Sequence, residues 1–559
     1  MHRRYHYYIS IICLLLVGFG LYAVNFHNPL FWDDEDWIVY NPTVQALSWK
    51  NTGFLFSKST LAGIGLTSNY YRPILFETFA INYAISGTHP LTYHLVNNVL
   101  HLLNALLAGY LLWLLFRNRL MALLAGAAFL LHPLNTEAVT YIAGRGDPLH
   151  YFFMLASLVF FVKGRRWASL AFVPLALLSQ EKAIILPFLI VLVAFTQRQK
   201  IKQAIIVSLP YFAITLVYGI LRLTVLNFAN TLNLYLAPNV YTEHISIRFY
   251  TFLHVLAEYA RLLVAPVGLH MERGVPLHRS LFEWPVWLVA VLLAGLLYTT
   301  YRAYRTHKTY AMVLVFGVSW FFIAILPVSG ITPVSALLYE HWMYVPMLGP
   351  IAIAAWYVSR ARRWRIPLLV LLAIYAIFFS IQTVRRNMLW GRPIEFYKDI
   401  LRYEPDSARI NNNLGNEYFF KERDNAKAEE YYLKAVSADD IFPQPHYNLG
   451  SILESRGDVY GAVKEYEAAL SVDPKFYYAL QSIVVLYAKQ SNYPKAIEAI
   501  EQLKLLRPGD ARILYNAAAL YKADKNKIAA RQNAEAGLAV ASGDVELTKL
   551  FIDFLNKLK

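Results

Sequence analysis

Apolar runs of about 18 residues or more recur along this chain from Ile9 to Thr383 and then cease. A run of that length satisfies its backbone hydrogen bonds in lipid only as a helix, and it is long enough to cross a bilayer. The expected organisation is therefore a polytopic helical membrane region, residues 1–383, followed by a water-soluble region, residues 384–559. Composition agrees: of 559 residues, 57% are hydrophobic and 16% charged, against roughly 25% charged in ordinary soluble domains. Residues 1–383 carry 27 Lys and Arg against 13 Asp and Glu, whereas residues 384–559 carry 25 against 24. The basic excess belongs to the membrane region, where it orients helices, so nucleic acid is not expected as a partner. Cys13 is the single cysteine, which excludes an intrachain disulfide and a thiolate zinc site.

Arg3 and Arg4 precede the apolar stretch from Tyr7 to Val24, which has no small-x-small cleavage signal after it and is expected to be a retained first span. Further basic clusters stand at Arg117/Arg119, Lys163/Arg165/Arg166, Arg198/Lys200/Lys202, Arg302/Arg305/Lys308 and Arg360/Arg362/Arg363/Arg365; with the N-terminal pair they hold 17 of the 27 basic residues. All of them fall on one face if the spans run near 8–25, 93–116, 119–132, 149–163, 167–180, 183–197, 204–222, 285–301, 309–327, 338–358 and 366–383. Residues 249–264 would then lie on, or re-enter from, the outer face. The acids were no part of that assignment, yet all 13 fall outside or at the outer end of a span. The N-terminus is thus expected in the cytoplasm, as in a bacterial inner membrane. The chemistry is expected on the other face, in loops 26–92, 133–148, 223–284 and 328–338, and eleven crossings put the C-terminal region on that face too.

The soluble region repeats itself with a period of 34, the length of a tetratricopeptide helix pair. Leu449, Gly450, Ala462, Tyr466, Ala469 and Pro474 mark the clearest unit; Ala496 and Pro508 recur 34 residues later, and Ala428, Tyr432 and Ala435 stand 34 earlier, with Leu414-Gly415 offset by one. A weaker unit spans Ala517–Ala530, so about four repeats are expected, stacked into an α-solenoid whose groove takes a peptide or partner.

Candidate functional residues cluster at the outer helix ends. Phe31-Trp-Asp33-Asp34-Glu35-Asp36-Trp37 packs four acids between aromatics. Mutual repulsion would raise the pKa of at least one, which suits a general base acting on a hydroxyl. Asp33, Asp34 and Asp36 are also the one place where Mg or Mn could bind, although no ligand spacing requires it. Arg72, Arg145 and Lys182 are the cations suited to a phosphate. Asn41, Tyr71, His94, His101, His132, Glu137, Glu181, Glu340 and Tyr344 are expected around a substrate cavity, since polar groups on a membrane helix are costly unless they face protein or a cavity. The plain structural alternatives are a solvated acidic loop and an Arg145 ion pair with Asp147 or Glu137.

The ordered set Phe31-Trp-Asp-Asp34, Asn41, Tyr71-Arg-Pro73, Asn82-Tyr83, Gly87, Pro90, Tyr93-His94, Asn97, His101-Leu-Leu-Asn104, His132-Pro133, Thr136-Glu-Ala-Val139, Gly144-Arg145, Glu181-Lys182 and Tyr344-Val-Pro346 resembles the transmembrane and tetratricopeptide-repeat-containing O-mannosyltransferases along nearly the whole chain. The resemblance implies an all-α polytopic GT-C fold followed by the repeats, a polyprenyl-phosphate sugar donor, an acidic catalytic residue in the first outer loop (Asp34 or Asp33), and repeats on the catalytic side. With few repeats and the acid run Asp-Asp-Glu-Asp, this chain looks like a bacterial relative. Its acceptor is expected to be a Ser or Thr hydroxyl of a protein; a glycan or lipid acceptor, or a non-catalytic membrane scaffold, are the competing readings.

Overall fold

The computed structural model describes residues 2–66, 68–228, 239–306, 310–333, 336–438, 442–541 and 544–558, and every regular element among them is helical. The side chains of Arg3 and Arg4, Lys308, and parts of the outer loops 223–284 and 328–338 lie outside the described residues. By its internal contacts the chain divides into two units, Met1–Phe396 and Tyr397–Lys559.

The first unit contains α1 (His2–Ala23), α2 (Pro73–Ser86), α3 (Leu91–Phe116), α4 (Arg119–Leu131), α5 (Asn135–Thr140), α6 (Gly146–Val162), α7 (Arg166–Ser179), α8 (Leu186–Thr196), α9 (Ile201–Leu223), α10 (Ile245–Val264), α11 (Trp284–Arg305), α12 (Ala311–Ile325), α13 (Leu348–Arg360) and α14 (Arg365–Trp390). Among the described residues five stretches are long and apolar enough to cross a membrane: α3, α9, α11, Ala311–Val328 and α14. Tyr7–Ala23, α4 and α7 are apolar but shorter. The chain is an integral membrane protein by this content. Helix α10 is not one of the five, because Arg248, His254, Glu258 and Arg261 interrupt its apolar residues. The span expected from residue 338 begins as a helix only at Leu348. Glu340–Met343 form a 3-10 turn, and Pro346 has no N–H to donate to a helix.

Glycines set the closest helix contacts. A Cβ on Gly109 of α3 would stand 2.9 Å from the Ala122 carbonyl oxygen of α4, and one on Gly317 of α12 would stand 2.7 Å from the Gly349 carbonyl oxygen of α13. Lipid offers apolar residues no reason to leave it, so such backbone approach supplies the packing that holds membrane helices together. A buried aromatic group adds to the packing: the Tyr344 ring sits 5.1 Å from Phe129 and 5.7 Å from Tyr151. It fixes the segment before α13 against α4 and α6.

The second unit is a stack of helix pairs: Ala408–Asn416 continuing as Glu417–Glu422 with Asn425–Ser437; Gln444–Ser455 with Val459–Val472; Tyr477–Lys489 with Tyr493–Leu506; and Ala511–Ala523 with Lys527–Val540. Val545–Asn556 follows as a further helix. Ala428, Ala435, Ala462, Ala469, Ala496 and Ala530 are buried at the crossings. Gly450 leaves room for a ring, since a Cβ there would stand 2.7 Å from Tyr466, and Gly415 does the same for Tyr432 at 2.5 Å. The one-residue offset of Leu414-Gly415 also has a structural cause. Residues Glu417–Glu422 form a π-helical turn, which absorbs one extra residue before the pair closes.

Candidate functional site

Residues 30–41 lead the chain from α1 to the site. Trp32 takes a left-handed conformation (φ 62°), uncommon for a bulky residue, and a π-helical turn follows at Glu35–Val39. Both distortions flank Asp33 and Asp34, and such irregularities concentrate at functional sites. Asp34 is 2% exposed, and its Oδ1 accepts a 2.7 Å hydrogen bond from the Ala143 N–H. Burial pushes the Asp34 carboxyl well above the usual carboxylate range; the Ala143 amide opposes this, the Asp33 charge adds to it, and the Phe31 amide and the Arg145 charge oppose it again. The raised pKa expected for this loop is present, with burial ahead of repulsion as its cause. Asp33 is partly exposed and Asp36 exposed, so the run splits between interior and surface instead of converging. No group of three or more Asp, Glu, His or Cys able to hold a metal ion occurs among the described residues. The acid run, split between interior and surface, does not fit a metal site.

Ala143 belongs to the short turn Ala143–Arg145 that opens α6. Gly144 is required there, because a Cβ would stand 3.0 Å from the Glu137 carbonyl oxygen and 3.2 Å from that of Ala138. Arg145 is fully buried: Nε donates to Asn97 Oδ1 (2.6 Å), one terminal nitrogen to Thr78 Oγ1 (3.0 Å) and Asn82 Oδ1 (2.7 Å), and the other to the Tyr93 carbonyl (3.0 Å). Its guanidinium carbon lies 4.6 Å from the Phe79 ring centre. The expected phosphate fork is thus corrected: Arg145 clamps α2 to α3 and supports the turn that carries Asp34. Burial lowers its pKa to about 9, with the Tyr93 hydroxyl and Asp34 opposing, so it stays charged at neutral pH.

Two residues further on, Asp147 begins an ionic chain. It is paired with Lys182, and its Oδ2 lies 3.9 Å from His341 Nε2. His341 Nδ1–H donates to Glu137 Oε1 at 2.6 Å, and Glu137 Oε2 accepts from the Glu340 N–H at 3.0 Å. Glu340 meets Arg273 at 2.9 Å and Arg386 at 3.7 Å. Beside Lys182, Glu181 accepts from Arg72 Nε at 2.9 Å and from the Tyr71 N–H at 2.8 Å. Burial would raise the Glu181 and Asp147 carboxyls, but Arg72 and Lys182 respectively hold them below their usual values. Burial raises the Glu340 carboxyl, with Arg386 opposing. Arg72 and Lys182 keep 14% and 19% side-chain exposure; of the cations expected from sequence, these two stand beside solvent while Arg145 does not.

Several expected cavity residues hold the fold instead. Asn41 caps the helix Pro42–Gln45 by accepting from the Thr43 N–H at 3.1 Å. The Tyr71 hydroxyl donates to the Phe56 carbonyl. His94, His101 and His132 each donate Nε2–H to a backbone carbonyl, of Asn28, Leu130 and Leu263, while His101 Nδ1 accepts from the Tyr344 hydroxyl at 2.8 Å. For His101 and His132 the physical reason is that a buried imidazole is costly unless its hydrogen bonds are met inside the protein, whereas Asn41 Nδ2 and His94 Nδ1 keep no partner among the described residues. Asn41, His94, His101, His132 and Tyr344 therefore shape the site, whereas Glu137, Glu181 and Glu340 line its ionic chain.

Sequence reasoning did not single out Arg273, His341, Arg386 or His150 for the site. His150 is fully buried beside Asp147 and Lys182; Nδ1–H donates to the Gly146 carbonyl, and Nε2 has no partner among the described residues. Arg386 stands past the point where the apolar runs end. The last turns of α14 nevertheless return to the first unit: Asn387 Nδ2 donates to the Leu21 carbonyl, its carbonyl accepts from Asn28, and Trp390 lies 5.4 Å from Tyr141 in a stacked arrangement. The signal available was the polar run Arg385-Arg386-Asn387 directly after the apolar part of α14.

Tetratricopeptide repeat models match residues 408–441 and 443–476. Over most of its length the chain is similar to proteins named protein O-mannosyl-transferase. The human TMTC3 protein is 24% identical over 457 residues, covering 72% of this chain and 48% of that protein. The Caenorhabditis elegans protein F38B6.6 is 26% identical over 484 residues, covering 83% and 63%. Xenopus laevis tmtc2 reaches 33% identity over a shorter stretch of 148 residues, 26% of this chain and 18% of that protein. This chain thus spans about half to two thirds of the length of the first two relatives. Among solved structures, the tetratricopeptide protein YrrB is 22% identical, with 31% of this chain and 87% of that one covered and a TM-score of 0.25.

Proposed function

We propose that this protein is a GT-C-type membrane glycosyltransferase that moves one sugar, with mannose as the first candidate, from a polyprenyl-phosphate donor to a Ser or Thr hydroxyl of a protein held by the repeats. One observation carries the reading: the Asp34 carboxyl, with its pKa raised by burial, hangs on the Ala143 amide, and the Asp147–Lys182 pair follows four residues later, in the first turn of α6. At ~1.5–2 Å of rise per residue this separates the two by roughly 6–8 Å along the backbone, on the scale of one sugar ring. Asp34 takes the proton of the acceptor hydroxyl as its oxygen attacks the anomeric carbon. The bond from that carbon to the phosphate oxygen breaks with both electrons leaving on the phosphate, and the anomeric configuration inverts. The leaving group departs as an anion, so it needs positive charge more than it needs a proton. Lys182 and Arg72 supply that charge by turning from Asp147 and Glu181 toward the phosphate. Arg145 holds the turn, and the Glu137–His341 pair keeps Asp147 oriented.

Purified full-length protein with polyprenyl-phosphate mannose and a Ser/Thr-rich polypeptide is expected to give alkali-labile sugar on the polypeptide. Transfer only to a lipid or glycan acceptor would replace the protein acceptor, and no consumption of donor would leave the scaffold reading. Ending the chain after Leu401 is expected to spare donor turnover onto a small hydroxyl acceptor while raising KM for the polypeptide, because groove contacts act equally in the ground and transition states. A lowered kcat at unchanged KM would instead mean that the repeats complete the site.

The proposed membrane is a bacterial inner membrane, with Asp34 and the repeats on its outer side. In a Cys13→Ser background, a cysteine introduced at Ser451 should react with an impermeant maleimide in intact cells; reaction only after lysis would reverse the orientation.

A further inference from the structure

A second site lies away from the acids. Between α1, α3 and α4 runs a cavity of about 380 Å³ whose wall is almost wholly apolar, from Ile11 and Leu15 on α1 to Leu107 on α3 and Leu123 on α4. That volume falls within the ~300–1,000 Å³ of small-ligand sites. Its polar rim is formed by Tyr7, Tyr110, Trp113 and Arg119. Arg119 is exposed, with its guanidinium carbon 5.6 Å from the Tyr7 ring centre. Lys163 Nζ lies 5.5 Å from the Tyr110 ring centre and the Arg117 guanidinium carbon 5.6 Å from that of Trp113, so three cations converge on one aromatic rim. None of the three has a carboxylate partner among the described residues, whereas Asp34 and Glu137 lie at the segment that follows the far end of α4. Asn97, which receives Arg145, is sixteen residues from Trp113 along α3, about 24 Å at 1.5 Å per residue. The cavity therefore opens at the opposite membrane interface from Asp34.

We propose that this groove is a binding site for an anionic phospholipid, with one acyl chain along Ile11, Leu107 and Leu123 and the phosphate on Arg119. Tyr and Trp rings mark the depth of the headgroups, which sets the phosphate level with the guanidinium. An acyl chain gains little by leaving bulk lipid for an equally apolar groove. Selectivity must then come from the headgroup, and unpaired cations favour a net negative one over a zwitterionic one. The site does not depend on the proposed transfer reaction.

The test is native mass spectrometry of the full-length protein released from nanodiscs of equal parts phosphatidylglycerol and phosphatidylcholine. One phosphatidylglycerol is expected to be retained in clear preference to phosphatidylcholine. Arg119→Glu is expected to lower that preference by about fivefold or more, and Arg119→Gln by less. Leu123→Trp, which fills the groove, is expected to remove the retained lipid of either kind while thermal stability in detergent shows that the fold survives. Equal retention of the two lipids by the parent, or a preference untouched by Arg119→Glu, overturns the proposal. So does retention of polyprenyl phosphate in place of phosphatidylglycerol when both are present, which would make the groove part of the donor path. If Leu123→Trp misfolds, Ile11→Trp on the facing helix makes the same measurement.

Discussion

Asp34→Asn is expected to reduce transfer by about 10²-fold or more while the protein melts at the same temperature or higher at neutral pH. The substitution keeps the volume of the side chain, and its carbonyl oxygen can still accept from the Ala143 N–H. The two effects have opposite signs for one reason. Folding raises the Asp34 pKa above its unfolded value, so an ionised Asp34 destabilises the folded state at neutral pH. That penalty shrinks as pH falls below the folded pKa and is gone below the unfolded value, and the difference in melting temperature between variant and parent should shrink with it. The base must be ionised to work, so the acidic limb of kcat/KM is expected above the ordinary carboxylate range. Assay of both variants across pH, with melting curves in the same buffers, checks each part. Retained transfer in Asp34→Asn with loss in Asp33→Asn would move the base to the partly exposed neighbour, and retained transfer in both would reduce the loop to a solvated acidic turn.

Lys182→Met is expected to be the most destabilising of the site substitutions, by roughly 3–5 kcal/mol, because it leaves Asp147 buried with no ion-pair partner among the described residues nearer than His341 at 3.9 Å. Removing both charges in Lys182→Met/Asp147→Asn should restore most of the melting temperature, since no buried charge is then left uncompensated. Transfer is expected to stay low in the double variant, by about 10²-fold or more, if Lys182 balances the departing phosphate. Recovery of transfer together with stability would make the pair purely structural and hand the phosphate to Arg72. Melting curves and donor turnover on the parent, the single and the double variant separate these outcomes.

The membrane and repeat regions were legible from the sequence because each rests on a local rule. Apolar length predicts helices, and a helix overlaps each of the eleven expected spans, five stretches being long and apolar enough to cross a membrane among the described residues. The spacing of Ala428, Ala462 and Ala496 predicts the repeats, because a small residue is needed once per unit where its two helices cross, as Ala462 does beside Gly450. That one acid of the run 33–36 has a raised pKa was legible for the same reason: its acids and aromatics are contiguous. What the sequence could not determine is which charge meets which. Glu181 offers itself to any cation, and only the fold brings it to Arg72, 109 residues away, as it brings His341 to Glu137 across 204. Arg145 shows the difference most plainly. Its type and its glycine neighbours suit a phosphate, yet Asn82, Asn97, Thr78 and the Tyr93 carbonyl converge on it from two helices and take up its donors. Residues 384–396 followed the same logic. The end of the apolar run marks where the bilayer stops, but Asn387 and Trp390 return to Leu21 and Tyr141, so the unit closes at Phe396. Local composition thus determined which elements form and where polar groups gather; pairing is a long-range property, and in a buried site only the tertiary structure decides which groups satisfy one another and which remain to meet a substrate.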